Sequence, residues 1–240
     1  MDSGFGLVMA ASVGWGALFY VFSTVVTLDL PKNDLCDLRN RIISIIHGVY
    51  CLVMSTIAIT HQRSMGDPNN EFESQIISVS LGYFLYDTIC MYKYDLYDSF
   101  IIFHHSLCLL GMSCTLIAEV GSVDIMYGLF ITEISNPCMH LREVLKLANQ
   151  RGTKTYLIFE LSFFGFYFFG RLIIGIPIVY SIVTSWRTHI IERLVAFSLE
   201  VQSFVWAYQI MGILRKRYSE YLHRKLSQVE LPWFKSLKSD

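Results

Sequence analysis

Two adjacent histidines, His104 and His105, open one apolar run, and three further ionisable side chains, His47, Asp87 and Glu133, stand inside other apolar runs of the same chain. A histidine within reach of a carboxylate can act as a general base or a nucleophile. Neighbours on a regular helix project about 100° apart, so the histidine pair cannot converge on one point. One of the two can face a cavity, and the other then packs against or hydrogen-bonds a neighbouring helix. The competing use of such residues is structural, because polar side chains also satisfy one another across helix interfaces in a membrane. His, Asp and Glu at one depth could also hold a metal, but no short metal-ligand spacing occurs and no cofactor is expected.

Arg171 lies near the middle of another apolar run. A guanidinium there either binds the phosphate or carboxylate of a lipid or an acyl-CoA, or pairs internally with Glu133 or Glu160. Asn136-Pro137 is either part of a polar site or simply a helix break. With His47 and Arg171, the side chains of Tyr83, Tyr86, Asn136 and Gln209 complete the set expected to line a cavity.

The elements that carry these residues must be membrane helices. The 240 residues are 53% hydrophobic and 15% aromatic, with a mean hydropathy of +0.45. The apolar residues come in long runs, and about 20 such residues are what a helix needs to cross a bilayer, where no water satisfies exposed backbone groups. Seven spans are expected, at 5–28, 42–59, 76–91, 100–118, 123–139, 157–184 and 194–214. The fifth is interrupted by Glu133, Asn136 and Pro137, and the sixth is overlong, with room to tilt, kink or break at Gly175 and Pro177. The fold class is therefore all-α, a polytopic transmembrane bundle. The first run is too long for a cleaved signal and lacks a positive flank, so it reads as a retained span.

Orientation follows from the positive residues. Segments 29–41, 92–99, 140–156 and 215–240 hold 3, 1, 4 and 7 Lys and Arg, 15 together, whereas the alternate loops hold 3: Arg63, Arg187 and Arg193. The rich side is expected to be cytosolic, with the N-terminus outside and the C-terminus inside. Counted at 1.5 Å per residue, His47, Asp87, the histidine pair, Glu133, Glu160 and Gln209 lie roughly 5 to 14 Å below the cytosolic interface. That clustering predicts a polar cavity opening to the cytosolic leaflet. The basic tail (Arg215, Lys216, Arg217, Arg224, Lys225) either touches anionic lipid or is an ordinary stop-transfer cluster. Trp186, Tyr92 and Tyr94 fall at span ends, as interface-belt residues do.

Five of the six cysteines lie in apolar runs and Cys36 on the reducing side, so no disulfide framework is expected, and no Asn-x-Ser/Thr acceptor occurs. A net charge of −1 points to no nucleic-acid partner.

The order of several short motifs resembles the TLC-domain family, which includes the ceramide synthases. The motifs are Arg41-x-x-Ser44-x-x-His47, Gly82-Tyr83-Phe84-x-Tyr86-Asp87, His104-His105, Glu133-x-Ser135-Asn136-Pro137-x-x-x-Leu141-Arg142, and the embedded Arg171. The resemblance implies a six-helix TLC core at 36–214, preceded by an N-terminal span and first loop at 1–35 and followed by a basic cytosolic tail at 215–240. It also implies an endomembrane, such as the endoplasmic reticulum, in preference to the plasma membrane. Ceramide synthases carry a His-Asp-x-x-Asp stretch downstream of the paired histidines, and the corresponding positions here are Ile131, Thr132 and Ser135. Half of the acyltransferase signature is therefore missing. Two functions remain open. One is a lipid-handling protein that holds a lipid or acyl chain and acts in membrane lipid homeostasis. The other is an acyl-CoA-dependent sphingoid N-acyltransferase, with His104 or His105 as the reacting group and Asp87 or Glu133 orienting it.

Overall fold

A computed structural model describes residues 2–226, with side chains over 4–223. The part of the basic tail beyond 226, and the side chains of Arg224 and Lys225, lie outside the described residues.

The described residues fold into seven helical rods. These are α1 (Asp2–Val25), α2 (Lys32–Thr60), α3 (Glu71–Lys93), α4 (Ser99–Ala118), the pair α5 (Ser122–Glu133) and α6 (Asn136–Leu147), the composite of α7 (Lys154–Tyr167), a π-helical segment (Phe168–Ile174) and α8 (Gly175–Thr184), and α9 (Ile190–Leu226). Among the described residues there is no β-strand; Pro68 and Val120 make an isolated bridge between two loops. Successive rods alternate in direction. Loops 61–70, 119–121 and 185–189 therefore share one end of the bundle, called upper here, and loops 26–31, 94–98 and 148–153 share the lower end.

Local sequence sets most of these boundaries. Asn70, Asp98 and Thr153 each accept a hydrogen bond from a backbone N–H in the first turn of the helix that follows, satisfying donors that have no helical partner. Pro137 sits in the first turn of α6, where its missing N–H is harmless. The fifth rod thus breaks between Glu133 and Asn136, so Asn136-Pro137 starts a helix there. The sixth rod does not break at Gly175 and Pro177. It stays helical for 31 residues, with a π-helical segment ending just before Gly175.

Four rods, α1, α2, α4 and the composite sixth, are long and apolar enough to cross a membrane. Their outward faces are apolar: Phe5, Val13, Ile117 and Ile173 are exposed, as lipid-facing residues must be. Trp186, 86% exposed in an upper loop, suits the interfacial belt. The larger core lies between α1, α2, α3, α4 and α5, where Ile43, Cys51, Ile76 and Ile77 are fully buried. Rod α1 packs along α3. Gly82 permits the contact, since a Cβ there would stand 2.7 Å from the Val8 carbonyl oxygen.

The upper loops are tied together. Arg63 pairs with Glu73 and donates to the Pro68 carbonyl, Ser122 Oγ donates to Glu73, and Arg187 Nη2 lies 2.7 Å from Asp67 Oδ1. The Ser64 N–H and the Arg187 guanidinium hold the Asp67 carboxyl below its ordinary range. All six cysteines are free.

Candidate functional site

The lower half of the bundle holds a packed polar cluster built from α2, α3 and α4. Asn40 is its centre: its Nδ2 donates to Asp87 Oδ1 at 2.5 Å, and its Oδ1 accepts the Tyr86 hydroxyl at 2.9 Å. The other Asp87 oxygen faces His105 Nε2 at 3.6 Å, and His105 Nδ1 lies 3.3 Å from Thr88 Oγ1. Two turns further into α2, the His47 ring stacks on Tyr83 at 3.7 Å with a 9° tilt. Tyr83 donates to Ser44, and His47 Nε2 lies 3.1 Å from Cys51 Sγ. His47, Asp87, Tyr83 and Tyr86 are all buried. These residues occupy one another, which is what burying polar groups away from water requires.

His104 turns the other way. Its Nδ1 lies 3.2 Å from Gln202 Oε1 on α9, and its ring packs on Trp206. It lines a cavity between α4, α5, the π-helical segment, α8 and α9 that holds about 860 Å³ of space, open mouth included. The walls are mainly aliphatic, with Leu107, Met112, Leu129, Val179, Val195 and Leu199 among them. Arg171 enters from the π-helical segment and is 3% exposed. Its Nη1 donates to Ser203 Oγ at 3.2 Å, and its guanidinium lies over the Tyr167 and Trp206 rings. Isolated π turns recur at functional sites because the wider turn re-aims one side chain. The histidine pair is thus divided between two environments, with Phe84 packed against both rings.

Several expectations are corrected by these positions. Gln209 is exposed on the outer face of α9; the glutamine turned inward is Gln202. Arg171 makes no ion pair with Glu133 or Glu160. Glu133 instead accepts from Asn136 Nδ2 at 3.0 Å and lies so close to Gly48 that a Cβ there would stand 2.9 Å from Glu133 Oε2. Glu160 is held by Arg142, Arg217 and the Tyr156 hydroxyl. Of the expected site residues, His104 and Arg171 line the cavity, whereas His105, Asp87, His47, Tyr83 and Tyr86 form the packed cluster beside it.

The cavity also reaches further up the bundle than the expected one. Its lining passes from His104, Arg171 and Ser203 toward Asp124, Ile182 and Glu192 at the upper end. From Ser203 to Glu192 along α9 is about 16 Å, the scale of an extended acyl chain. Sequence reading missed Asp124, Glu192 and Glu200 on these walls, and also His140 of α6, whose Nδ1 is buried without a partner. Glu200 and Gln202 carried a usable signal, being polar inside an apolar run. Glu192 and Asp124 did not, because they fall where a span meets a loop. Among the described residues no three His, Cys, Asp or Glu side chains converge as a metal site.

The profile of the TLC domain matches residues 37–214. The chain belongs to the TLC-domain family. TLC domain-containing protein 4 C of Dictyostelium discoideum is 27% identical over 210 residues, which is 81% of this chain and 75% of that protein. TLC domain-containing protein 2 of Danio rerio is 26% identical over 175 residues, 69% of this chain and 70% of that one. The matched region of this TLC-domain protein contains both the packed cluster and the cavity, and with its apolar rods it is an integral membrane protein.

Proposed function

We propose that this TLC-domain protein holds a lipid or acyl chain in its α4–α5–α8–α9 cavity and acts in membrane lipid homeostasis. The observation that carries the reading is the lining of that cavity: a long, mainly aliphatic trough with His104, Arg171, Glu200 and Ser203 grouped at its inner end and Asp124 and Glu192 at the upper one. Such a division, mostly apolar wall with few placed polar groups, is what amphiphile sites have. The motif series also resembles that of TLC domain-containing protein 5 (transmembrane protein 136), and we place the chain near that branch. Its cytosolic face is the lower end, by the positive-inside bias, and the compartment is an endomembrane.

The test is mass spectrometry of lipid co-purified with the intact protein from membranes. Lipid retained by the wild type and altered in His104→Ala supports the reading. Purified protein free of lipid, or an unchanged lipid content in a stable His104→Ala variant, overturns it.

A second reading is an acyl-CoA-dependent sphingoid N-acyltransferase. One arrangement favours it: His104 faces the cavity while His105 is fixed by Asp87. Against it stand Ile131 and Thr132, which line the cavity where the synthase signature has histidine and aspartate. Transfer from labelled acyl-CoA to a sphingoid base, lost in His104→Ala, decides for this second reading.

A further inference from the structure

Five buried side-chain atoms lack a hydrogen-bond partner among the described residues: Asp124 Oδ1, His140 Nδ1, Arg171 Nε, Glu192 Oε2 and Glu200 Oε1. Four of the five belong to residues that line the cavity. Buried polar groups are nearly always paired, so this concentration marks a place where something else completes the bonding.

The inner pair is the informative one. Arg171 Nε is a donor with nothing to donate to, and Glu200 Oε1 is an acceptor with nothing to accept. Both side chains face the same space, yet they are not within ion-pair distance of each other. Arg171 is drawn aside by Ser203 and by the Tyr167 and Trp206 rings. Glu200, three residues before Ser203 on α9, instead reaches toward Gly175, where the π-helical segment gives way to α8. Together the two charges cancel. A charged head seated between them would leave one uncompensated charge at low dielectric, whereas an uncharged head that both accepts and donates would satisfy each side.

We propose that Arg171 and Glu200 form a split seat for the uncharged polar head of a lipid, one that presents a carbonyl oxygen to Arg171 and a hydroxyl or amide N–H to Glu200. The chain of that lipid lies along Leu199, Val195, Leu107 and Met112 toward the upper end. This rests on the lipid-handling reading above and names the class of lipid for that cavity. The head is seated deep and the tail points outward, the reverse of a lipid in the surrounding leaflet. Asp124 and Glu192 stand at the far end, about 12 Å beyond Glu200 along α9, and take no part in reading the head.

The experiment uses the full-length protein in lipid nanodiscs and three probes that share one C18 chain: 1-oleoylglycerol (neutral), oleic acid (anionic) and oleylamine (cationic). Bound probe is counted by native mass spectrometry. The wild type is expected to take up oleoylglycerol about tenfold better than either charged probe, the scale of one unpaired buried group. Glu200→Gln should shift preference toward oleate, and Arg171→Gln toward oleylamine. Because Arg171 also braces α9, the half-buried Glu200→Gln variant is the one that decides if Arg171→Gln does not fold.

A wild-type preference for oleate or oleylamine overturns the split seat, as does a Glu200→Gln variant with unchanged order. Protein that keeps co-purified lipid but accepts none of the probes overturns the seat alone. Protein with neither co-purified lipid nor probe overturns the lipid-handling reading itself.

Discussion

Asp87 of α3 faces His105 of α4 across 3.6 Å, with Asn40 of α2 on its other oxygen at 2.5 Å. Three helices thus meet on a single carboxylate. His105→Ala leaves one Asp87 oxygen buried without a partner and is expected to remove about 2 kcal/mol of stability, the scale of an unsatisfied buried acceptor. His104→Ala gives up the bond to Gln202 and a weaker contact with Cys108 at the cavity wall, and should lower it by less, about 1 kcal/mol. Thermal melting of the two variants in one detergent orders them. Equal losses would mean that the histidine pair is not divided between packing and cavity.

Asn40 supplies both an acceptor for Tyr86 and a donor for Asp87. Asn40→Ala leaves two buried groups unpaired and should cost about 2–4 kcal/mol. Asn40→Asp should be worse despite its matching shape, because it sets two carboxylates side by side and removes the donor. The melting order wild type, Asn40→Ala, Asn40→Asp is the expected result. An aspartate variant as stable as wild type would show that Asn40 does not donate to Asp87.

The lower end is expected to face the cytosol. A C-terminal tag should then be digested by protease added to sealed microsomes, while one inserted in the 61–70 loop should survive until detergent is added. A protected C-terminal tag reverses the orientation.

The Asp67–Arg187 tie joins two upper loops. The Asp67 carboxyl is depressed below its ordinary 3.8. Such a group contributes stability that is complete above the unfolded value and disappears as pH falls through the lower folded one. The tie is therefore intact at neutral pH and loosens only in strong acid. Asp67→Asn should loosen it at every pH, read as faster tryptic cleavage after Arg187. Cleavage rates that match wild type at neutral pH would remove the tie from the account.

How much of this was legible in the sequence depends on whether a residue's surroundings are local. The seven rods and the break before Asn136 follow from apolar run length and from proline chemistry within a few residues, and both are present. The division of His104 from His105 follows from helical spacing alone. The inward face of α9 does not. Gln202 and Gln209 are seven residues apart and project within about 20° of each other, so sequence spacing treats them alike. The buried side of α9 is centred on Ser203, Ala207 and Ile210. Gln202 lies at its edge, where Phe100 and His104 of α4 reach it, and Gln209 lies just beyond. Only the position of α4 separates them. The same is true of the cavity's direction, which depends on where α4, α5, α8 and α9 diverge, not on any one helix.

The rods also differ in how they can enter a bilayer at all. Four are apolar and long enough to partition on their own, and three (α3, the α5–α6 pair, and α9) are not among them. At 12 residues each, α5 and α6 are about 18 Å long, short of the ~30 Å hydrocarbon core. Each dependent rod packs on a self-sufficient one: α3 on α1, α5 and α6 on α2, and α9 on α4 and α8. Insertion is therefore expected to be ordered, with the independent helices acting as a scaffold for the polar ones. The polar side chains of the cluster and the cavity are divided between the two sets, with Asn40, His47, His104, His105 and Arg171 on independent rods and Tyr83, Asp87, Glu192 and Glu200 on dependent ones. A substitution that weakens the contact between α2 and α5 would be met first by the insertion machinery and its quality control, before any question of lipid arises.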